Sequence, residues 1–272
     1  VVTQEEKRGA NAVFIPPEEE ISDDRDYARV YMSPEDYEEH IDQDTKMVLL
    51  TGACFRNGIR QNKIKEIGKI AHENGAYLYV DDTQNCGVYK RDVEENIDFL
   101  TVTNGKYLCG GSGNAFLYVD EDVRDELNPW DVGWFGEDEP FDLDPFNVRR
   151  AKTARGFEGG SPRVSCDYIT SASLRLINEI GIENIHSHVR ELVNYLMEGI
   201  HERGFDTITP SEPARRSFGT ITVDNPEHIE RILLDDYNIS VAPREIAIRI
   251  APHFYNNKKD IDEVLNALEE IL

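Results

Sequence analysis

The sequence is short of cysteines and lacks a long apolar run. Its four cysteines, Cys54, Cys86, Cys109 and Cys166, lie in or near apolar segments and show no C-x-x-C spacing. This pattern is typical of reduced thiols in an intracellular protein. No apolar run is long enough to span a bilayer, and no signal peptide is visible. We therefore predict a cytoplasmic protein that has no membrane partner.

Basic residues are also scarce. The chain has 29 lysines and arginines against 53 aspartates and glutamates, which gives a formal net charge of −24. A surface of this sign repels nucleic acids and anionic membranes, so neither is expected as a partner. Self-repulsion at this charge destabilises the compact state where salt screening is weak. The acidic composition leads to the hypothesis of a halophilic protein that works in a salt-rich cytoplasm.

The motifs of several common enzyme classes are missing as well. The sequence has no G-x-S-x-G nucleophile elbow and no Walker loop. Hydrolase and nucleotide-binding functions therefore lose their main support. The histidines show no metal-ligand spacing such as H-E-x-x-H, and we expect no metal site.

The order of predicted elements indicates an α/β fold. Residues 47–51 form a predicted strand, apolar residues recur at helical spacing over residues 64–71, and residues 76–80 form the next strand. Such a βαβ unit implies a parallel sheet with a right-handed crossover. After residue 161 the pattern becomes helical, and residues 205–272 alternate between strands and helices, as in a small α/β domain.

Two of the predicted strands deliver polar residues to one place. Asp81 follows the strand of residues 76–80, and Lys106 follows a second strand that ends at Thr103. The carboxyl ends of strands in an open α/β sheet are where ligands bind. The sequence therefore predicts a carboxylate and an amine at a ligand-binding edge.

This pair of side chains suits pyridoxal phosphate. A lysine can hold the cofactor as a Schiff base, and a carboxylate can keep its pyridine nitrogen protonated, so that the ring accepts electrons. Taken singly, Asp81 is as well explained as a helix cap, and Lys106 as a solvated loop charge. The two together, in this context, favour the cofactor.

Four segments resemble a known family. Residues 80–84 are similar to the D-x-x-[HQ] segment, and residues 106–119 to the K-Y-L-x-G-G-x-G stretch, of pyridoxal phosphate enzymes of fold type I. The closer resemblance is to the aminotransferase class V group, which includes cysteine desulfurases and kynureninases. Residues 157–162 resemble its F-E-x-G-[TS]-P motif, and residues 248–256 its substrate-arginine segment.

The resemblance implies a role for each matching residue. Lys106 holds pyridoxal phosphate as an internal aldimine and serves as the catalytic base, while Asp81 pairs with the ring nitrogen. Arg249 grips the carboxylate of an amino-acid substrate, a task that suits a bidentate guanidinium. Ser161 reaches the cofactor phosphate of a neighbouring subunit, which implies a homodimer with shared active sites. The cofactor-binding residues implied in this way are Asp81, Gln84, Thr103, Lys106, Trp134 and Ser161.

The chain also departs from the family in informative ways. Gly105 stands where the family has His or Tyr, which removes a phosphate contact. No cysteine lies between Asp235 and Arg249, where a desulfurase carries its thiol, so desulfurase activity is not expected. The resemblance leads to a transaminase or lyase. A kynureninase-like carbon–carbon hydrolase stays as an alternative, because residues 55–58 and 133–136 look like kynureninase segments. A non-catalytic relative also stays as an alternative, because Gly105 and the expected incomplete N-terminal section favour it slightly.

The resemblance also divides the chain. Residues 1–164 are the predicted cofactor-binding large domain with a mainly parallel sheet, residues 165–204 the linking helices, and residues 205–272 the small domain. The first residues already resemble the middle of the family's large domain, so we expect an incomplete N-terminal section. Either the sequence is part of a longer protein, which we favour, or it is a degraded relative.

Overall fold

The computed structural model describes residues 2–15, 31–94, 96–127, 129 and 133–272. Helices α1 (Val2–Arg8) and α2 (Pro34–Glu38) precede the first sheet. The α/β architecture predicted from the sequence is confirmed. It consists of a larger, mainly parallel sheet and a smaller antiparallel one.

The larger sheet has the strand order β1-β2-β3-β4. Strands β1 (Met47–Thr51), β2 (Tyr77–Asp81) and β3 (Phe99–Thr103) are parallel, whereas β4 (Ala115–Val119) runs antiparallel to β3. Helix α3 (Ile64–Glu73) connects β1 to β2, so the predicted βαβ unit is confirmed. Because the first three strands are parallel, their carboxyl ends meet at one edge of the sheet.

The two faces of this sheet differ in how far they are buried by other elements. Side chains of alternate residues, such as Val48, Leu78 and Leu100, are buried against helices on one face. The opposite face carries the next residues along each strand, and there Leu49 is 53% exposed and Leu117 is 42% exposed. Asp81 and Thr103 belong to this second, more open face by the register of the strands.

Helices follow the larger sheet. The short helix α4 (Glu121–Glu126) comes directly after β4, and α5 (Val164–Ile180) and α6 (Ile182–Glu202) are long. Gly181 joins the two long helices with φ +87°, a left-handed conformation that costs glycine little. In the described part of the chain, no helix combines the length and the apolar character needed to cross a membrane.

Helix α6 contributes to both hydrophobic cores. Its Ile185 and Val189 pack in the core beneath the larger sheet, while Leu196 and Ile200 pack in the core of the smaller sheet. These side chains are almost completely buried. The helix therefore connects the two sheets through apolar contacts.

The smaller sheet has the order β5-β7-β6, and all its pairings are antiparallel. Its strands are β5 (Gly219–Thr222), β6 (Ala242–Arg244) and β7 (Ala247–Ile250), and helices α7 (Pro226–Tyr237) and α8 (Lys258–Ile271) pack against it. The sequence pattern did not predict β6. This strand has only three residues and contains a proline, which weakens any strand signal.

Candidate active site

Lys106 lies in the loop that connects β3 to β4, at the edge where the parallel strands end. Its side chain is exposed and forms no ion pair with any described residue. Partial burial lowers the pKa of Lys106, the Arg249 guanidinium lowers it further, and the Asp81 carboxylate opposes the change. Since a lower pKa leaves more of the amine neutral, Lys106 is a better nucleophile than an ordinary surface lysine.

Asp81 is the last residue of β2, and its carboxylate is exposed at the same edge. One carboxylate oxygen, Oδ1, accepts a hydrogen bond from the Thr83 backbone N–H at 3.0 Å. The other oxygen has no partner in the part of the chain that is described. The backbone carbonyl of Asp81 accepts from the Gly52 N–H at 2.8 Å, which fixes the strand end. Asp81 is thus held in place and keeps an oxygen available.

Gln84 lies in the turn that follows Asp81 and is only 7% exposed. Its side-chain amide has no hydrogen-bond partner among the described residues, although buried amides are normally paired. Thr83, in the same turn, accepts a hydrogen bond at its side-chain oxygen from the Thr103 N–H at 3.2 Å. This bond ties the turn to the end of β3, so Gln84 and Thr103 are positioned together.

An ion pair that the sequence did not predict lies beneath this turn. Asp82 is fully buried, and its oxygens accept hydrogen bonds from Arg91 at 3.1 and 3.3 Å and from the Asn85 amide at 3.2 Å. Burial raises the pKa of Asp82, while Arg91 opposes that change. A Cβ on Gly52 would lie 1.8 Å from Asp82 Oδ1, so only glycine fits there. Asp82, the residue next to Asp81, is therefore held in place by buried hydrogen bonds.

Two arginines of the smaller sheet reach the same edge. Arg249 donates from Nη1 to the Phe55 carbonyl at 3.3 Å, and its guanidinium lies 5.2 Å from the Phe218 ring centroid. The Arg244 guanidinium lies 5.9 Å from the Phe55 ring centroid. Burial lowers the pKa of Arg249, and the charge of Arg244 adds to that effect. Sequence reasoning identified Arg249 but not Arg244.

His253 supports the loop that carries Lys106. It is 3% exposed, and its Nε2 lies 2.8 Å from the carbonyl oxygen of Tyr107. Its Nδ1 accepts from the Phe254 N–H at 2.6 Å, so the ring proton is on Nε2 and is donated to Tyr107. Burial lowers the pKa of His253, which keeps the ring neutral. The histidine therefore holds the residue next to Lys106.

For the remaining predicted residues, Trp134 and Ser161, the described part of the structure shows no bond to this group. Trp134 packs edge-on against Phe135 and Phe141, with ring centroids 4.5 and 5.8 Å away. Ser161 is exposed, and its hydroxyl has no partner among the described residues. Neither side chain bonds to Asp81 or Lys106 within this part of the chain, and their cofactor roles stay predictions.

The side chains at the edge fit pyridoxal phosphate. Lys106 offers an amine for its aldehyde, Asp81 an available carboxylate oxygen for its ring nitrogen, and Gln84 an amide that has no hydrogen-bond partner among the described residues. The structure also gives a physical reason for a glycine at position 105. A Cβ at this position would lie 3.0 Å from the Ser112 hydroxyl oxygen, so a larger residue would require that serine to move.

Comparisons with known proteins agree with this geometry. The family description "aminotransferase class-V" matches residues 5–264. An uncharacterized aminotransferase of Bacillus subtilis is 34% identical over 239 residues, which cover 87% of this chain and 62% of that protein. The chain thus spans less than two thirds of the length of this relative.

Solved structures show the same fold. The apo structure of a cysteine desulfurase from Thermococcus onnurineus superposes with a TM-score of 0.80 at 24% identity, covering 90% of this chain and 64% of that one. A variant of a cystine C–S lyase, with glycine covalently linked to its pyridoxal phosphate, gives a TM-score of 0.78 at 20% identity, covering 88% and 64%. The fold type I expectation is confirmed.

Proposed function

Because the chain belongs to the class-V aminotransferase family, we propose that it acts on an amino acid, with pyridoxal phosphate attached to Lys106, as a transaminase or a lyase. One observation carries the proposal. Lys106 and Asp81 lie at the carboxyl edge of the larger sheet, and Arg249 of the smaller sheet reaches that edge through its 3.3 Å hydrogen bond to the Phe55 carbonyl. The charges of Asp81 and Arg249 both alter the pKa of Lys106.

Each of these side chains has a distinct task in the proposed reaction. When bound, pyridoxal phosphate supplies a ring that stabilises negative charge on the α-carbon of the amino acid. Asp81 keeps a proton on the ring nitrogen through its available carboxylate oxygen. Arg249 binds the substrate carboxylate, and the Lys106 amine removes the α-proton as general base. The lowered pKa of Lys106 favours that last task.

The similar proteins narrow the range of reactions that we propose for this chain. They include aminotransferases and cysteine desulfurases, which favours transamination or lyase chemistry over the kynureninase-like alternative. Desulfuration by this chain is not part of the proposal, because no cysteine lies between Asp235 and Arg249.

We further propose that the protein is a cytoplasmic homodimer. The exposed hydroxyl of Ser161, which has no partner among the residues that the structure describes, is available to a neighbouring subunit. All four cysteines are free, which supports a reducing compartment. Light scattering during size-exclusion chromatography tests the dimer, and a mass of one chain at all concentrations would contradict it.

Hydrogen exchange at the α-carbon tests the proposed function. The chain is loaded with pyridoxal phosphate and incubated with each proteinogenic amino acid in D₂O, and loss of the α-proton signal is followed by NMR. We expect exchange for at least one amino acid. Lys106→Ala abolishes it, whereas Lys69→Ala, which changes a lysine with a 70% exposed side chain, leaves it intact.

The role of Asp81 has its own test in the same assay. Asp81→Ala removes a charge-assisted interaction worth about 1.5–3 kcal/mol, so exchange is expected to slow at least about tenfold. A normal rate in this variant would remove the ring-nitrogen role. If the loaded chain exchanged no amino acid, the non-catalytic relative would be the better description.

A further inference from the structure

The smaller sheet presents two arginines on one face. In the antiparallel register Arg249 lies opposite Ala242, and Arg244 lies opposite Ala247. Residues directly opposite share a face, and so do alternate residues of one strand, which puts Arg244 and Arg249 on the same side as diagonal neighbours. Diagonal neighbours are about 7–8 Å apart. The other face carries Ile248 and Ile250 into the core.

Neither arginine has an acidic partner. The chain has 53 acidic residues, yet no described carboxylate forms an ion pair with Arg244 or Arg249. The Nε–H of each is buried and has no hydrogen-bond acceptor in the described part of the chain. By contrast, Arg56, one residue after Phe55, is paired with Glu245 at 2.7 Å. Among the described residues, each guanidinium hydrogen-bonds only to a backbone carbonyl, Arg244 Nη1 to Pro243 at 2.6 Å and Arg249 Nη1 to Phe55 at 3.3 Å. Two half-buried guanidiniums without a counter-ion repel each other, so an anion that bridges them would be stabilised.

Both guanidiniums lie beside Phe55, which follows β1 at the edge that carries Lys106. Arg249 donates to the backbone carbonyl of Phe55, and Arg244 lies over the Phe55 ring. Phe55 itself is 52% exposed. The charge of each arginine also lowers the pKa of Lys106. A ligand on Lys106 therefore faces two cationic groups, whereas a monocarboxylic amino acid needs only one.

We propose, resting on the proposed function, that the substrate is an amino acid with a second anionic group in its side chain, such as a dicarboxylic amino acid. Arg249 binds its α-carboxylate and Arg244 binds the side-chain anion. An isosteric amide, such as glutamine in place of glutamate, leaves one half-buried guanidinium without a counter-charge and binds more weakly. Arg244 is then the residue that determines specificity.

Anion binding without the cofactor tests this inference separately from the proposed function. Isothermal titration of the full chain compares glutarate with glutaramate and succinate with succinamate, which differ in one carboxylate. We expect at least one dicarboxylate to bind about 10-fold or more tightly than its amide. Arg244→Gln loses this preference. Arg56→Gln makes the same charge change at a guanidinium that is already paired, and it keeps the preference.

The inference is wrong if the unaltered chain binds dicarboxylate and amide with equal affinity, whether or not the variants fold. It is also wrong if none of the four probes binds. If Arg244→Gln instead weakens binding of inorganic phosphate while the dicarboxylate preference is absent, Arg244 is a phosphate ligand and the inference is wrong. If the chain prefers the dicarboxylate but cannot attach pyridoxal phosphate, only the proposed function is wrong.

Discussion

The reactivity of Lys106 depends on three neighbouring charges. Partial burial and the guanidiniums of Arg249 and Arg244 lower its pKa, and the Asp81 carboxylate raises it. The balance leaves more neutral amine at a given pH than an isolated lysine has. It also means that the pKa of Lys106 can be shifted in either direction by changing a neighbour.

Opposite shifts in the pKa of Lys106 are therefore expected from two variants. Arg249→Gln removes a positive charge that disfavours the ammonium form, so the pKa rises. Asp81→Asn removes a negative charge that favours it, so the pKa falls. Acetylation of Lys106 as a function of pH, read by peptide mass spectrometry, measures both, with exposed Lys69 as the internal control. Shifts of the same sign would refute this electrostatic account.

At this scale the sequence revealed the residues that belong to local motifs. Asp81, Gln84, Lys106 and Arg249 each stand in a segment that resembles the family, and Asp81 and Lys106 were also suggested by their chemistry at predicted strand ends. Arg244 could not be found in this way. Its position next to Arg249 depends on the pairing of β6 with β7, and β6 was not predictable from three residues with a proline.

Among the elements, the turn after β2 depends on the buried pair of Asp82 and Arg91. Their side chains are 0% and 11% exposed. Removing one member of such a pair leaves an uncompensated buried charge. The turn that carries Gln84 is therefore coupled to an interaction beneath the site rather than to the site itself.

Loss of Arg91 is expected to be costly for stability. Arg91→Met should lower the free energy of unfolding by about 3–5 kcal/mol, because Asp82 stays buried without its partner. Lys69→Met breaks an exposed pair with Glu73, 3.5 Å long, and should change the free energy by less than about 1 kcal/mol. Urea denaturation measures both. Similar losses in the two variants would argue against the anchoring role of Arg91.

Element prediction succeeded where apolar patterns were strong. Residues 47–51 and 99–103 were predicted as strands and are strands β1 and β3 with those bounds. The ion pair under the turn was not predicted from the sequence, because Asp82 and Arg91 are nine residues apart and resemble ordinary charged loop residues. Only packing against Gly52 reveals that Asp82 is inside.

The whole molecule is dominated by its negative charge. At a net charge of −24, self-repulsion opposes the compact state unless salt screens it. Surface ion pairs, such as Lys258 with Glu191 at 2.7 Å, do not reduce this net charge, because it already counts the basic residues. Stability should therefore depend on ionic strength.

A rise in melting temperature with added potassium chloride is expected from low to molar salt. Differential scanning calorimetry measures it, and the rise should flatten near pH 4.5, close to the sequence pI of about 4.6, where the net charge is small. A melting temperature that is insensitive to salt at pH 7 would contradict the hypothesis of salt adaptation.

The attachment of pyridoxal phosphate to Lys106 is the central claim, and borohydride reduction tests it most directly. The purified chain is incubated with the cofactor in high salt, reduced, digested and analysed by peptide mass spectrometry. We predict a phosphopyridoxyl group on Lys106, absent from Lys106→Ala, with Lys69 unlabelled as the control for non-specific reaction. Labelling spread evenly over exposed lysines, or no label on Lys106, would contradict the claim.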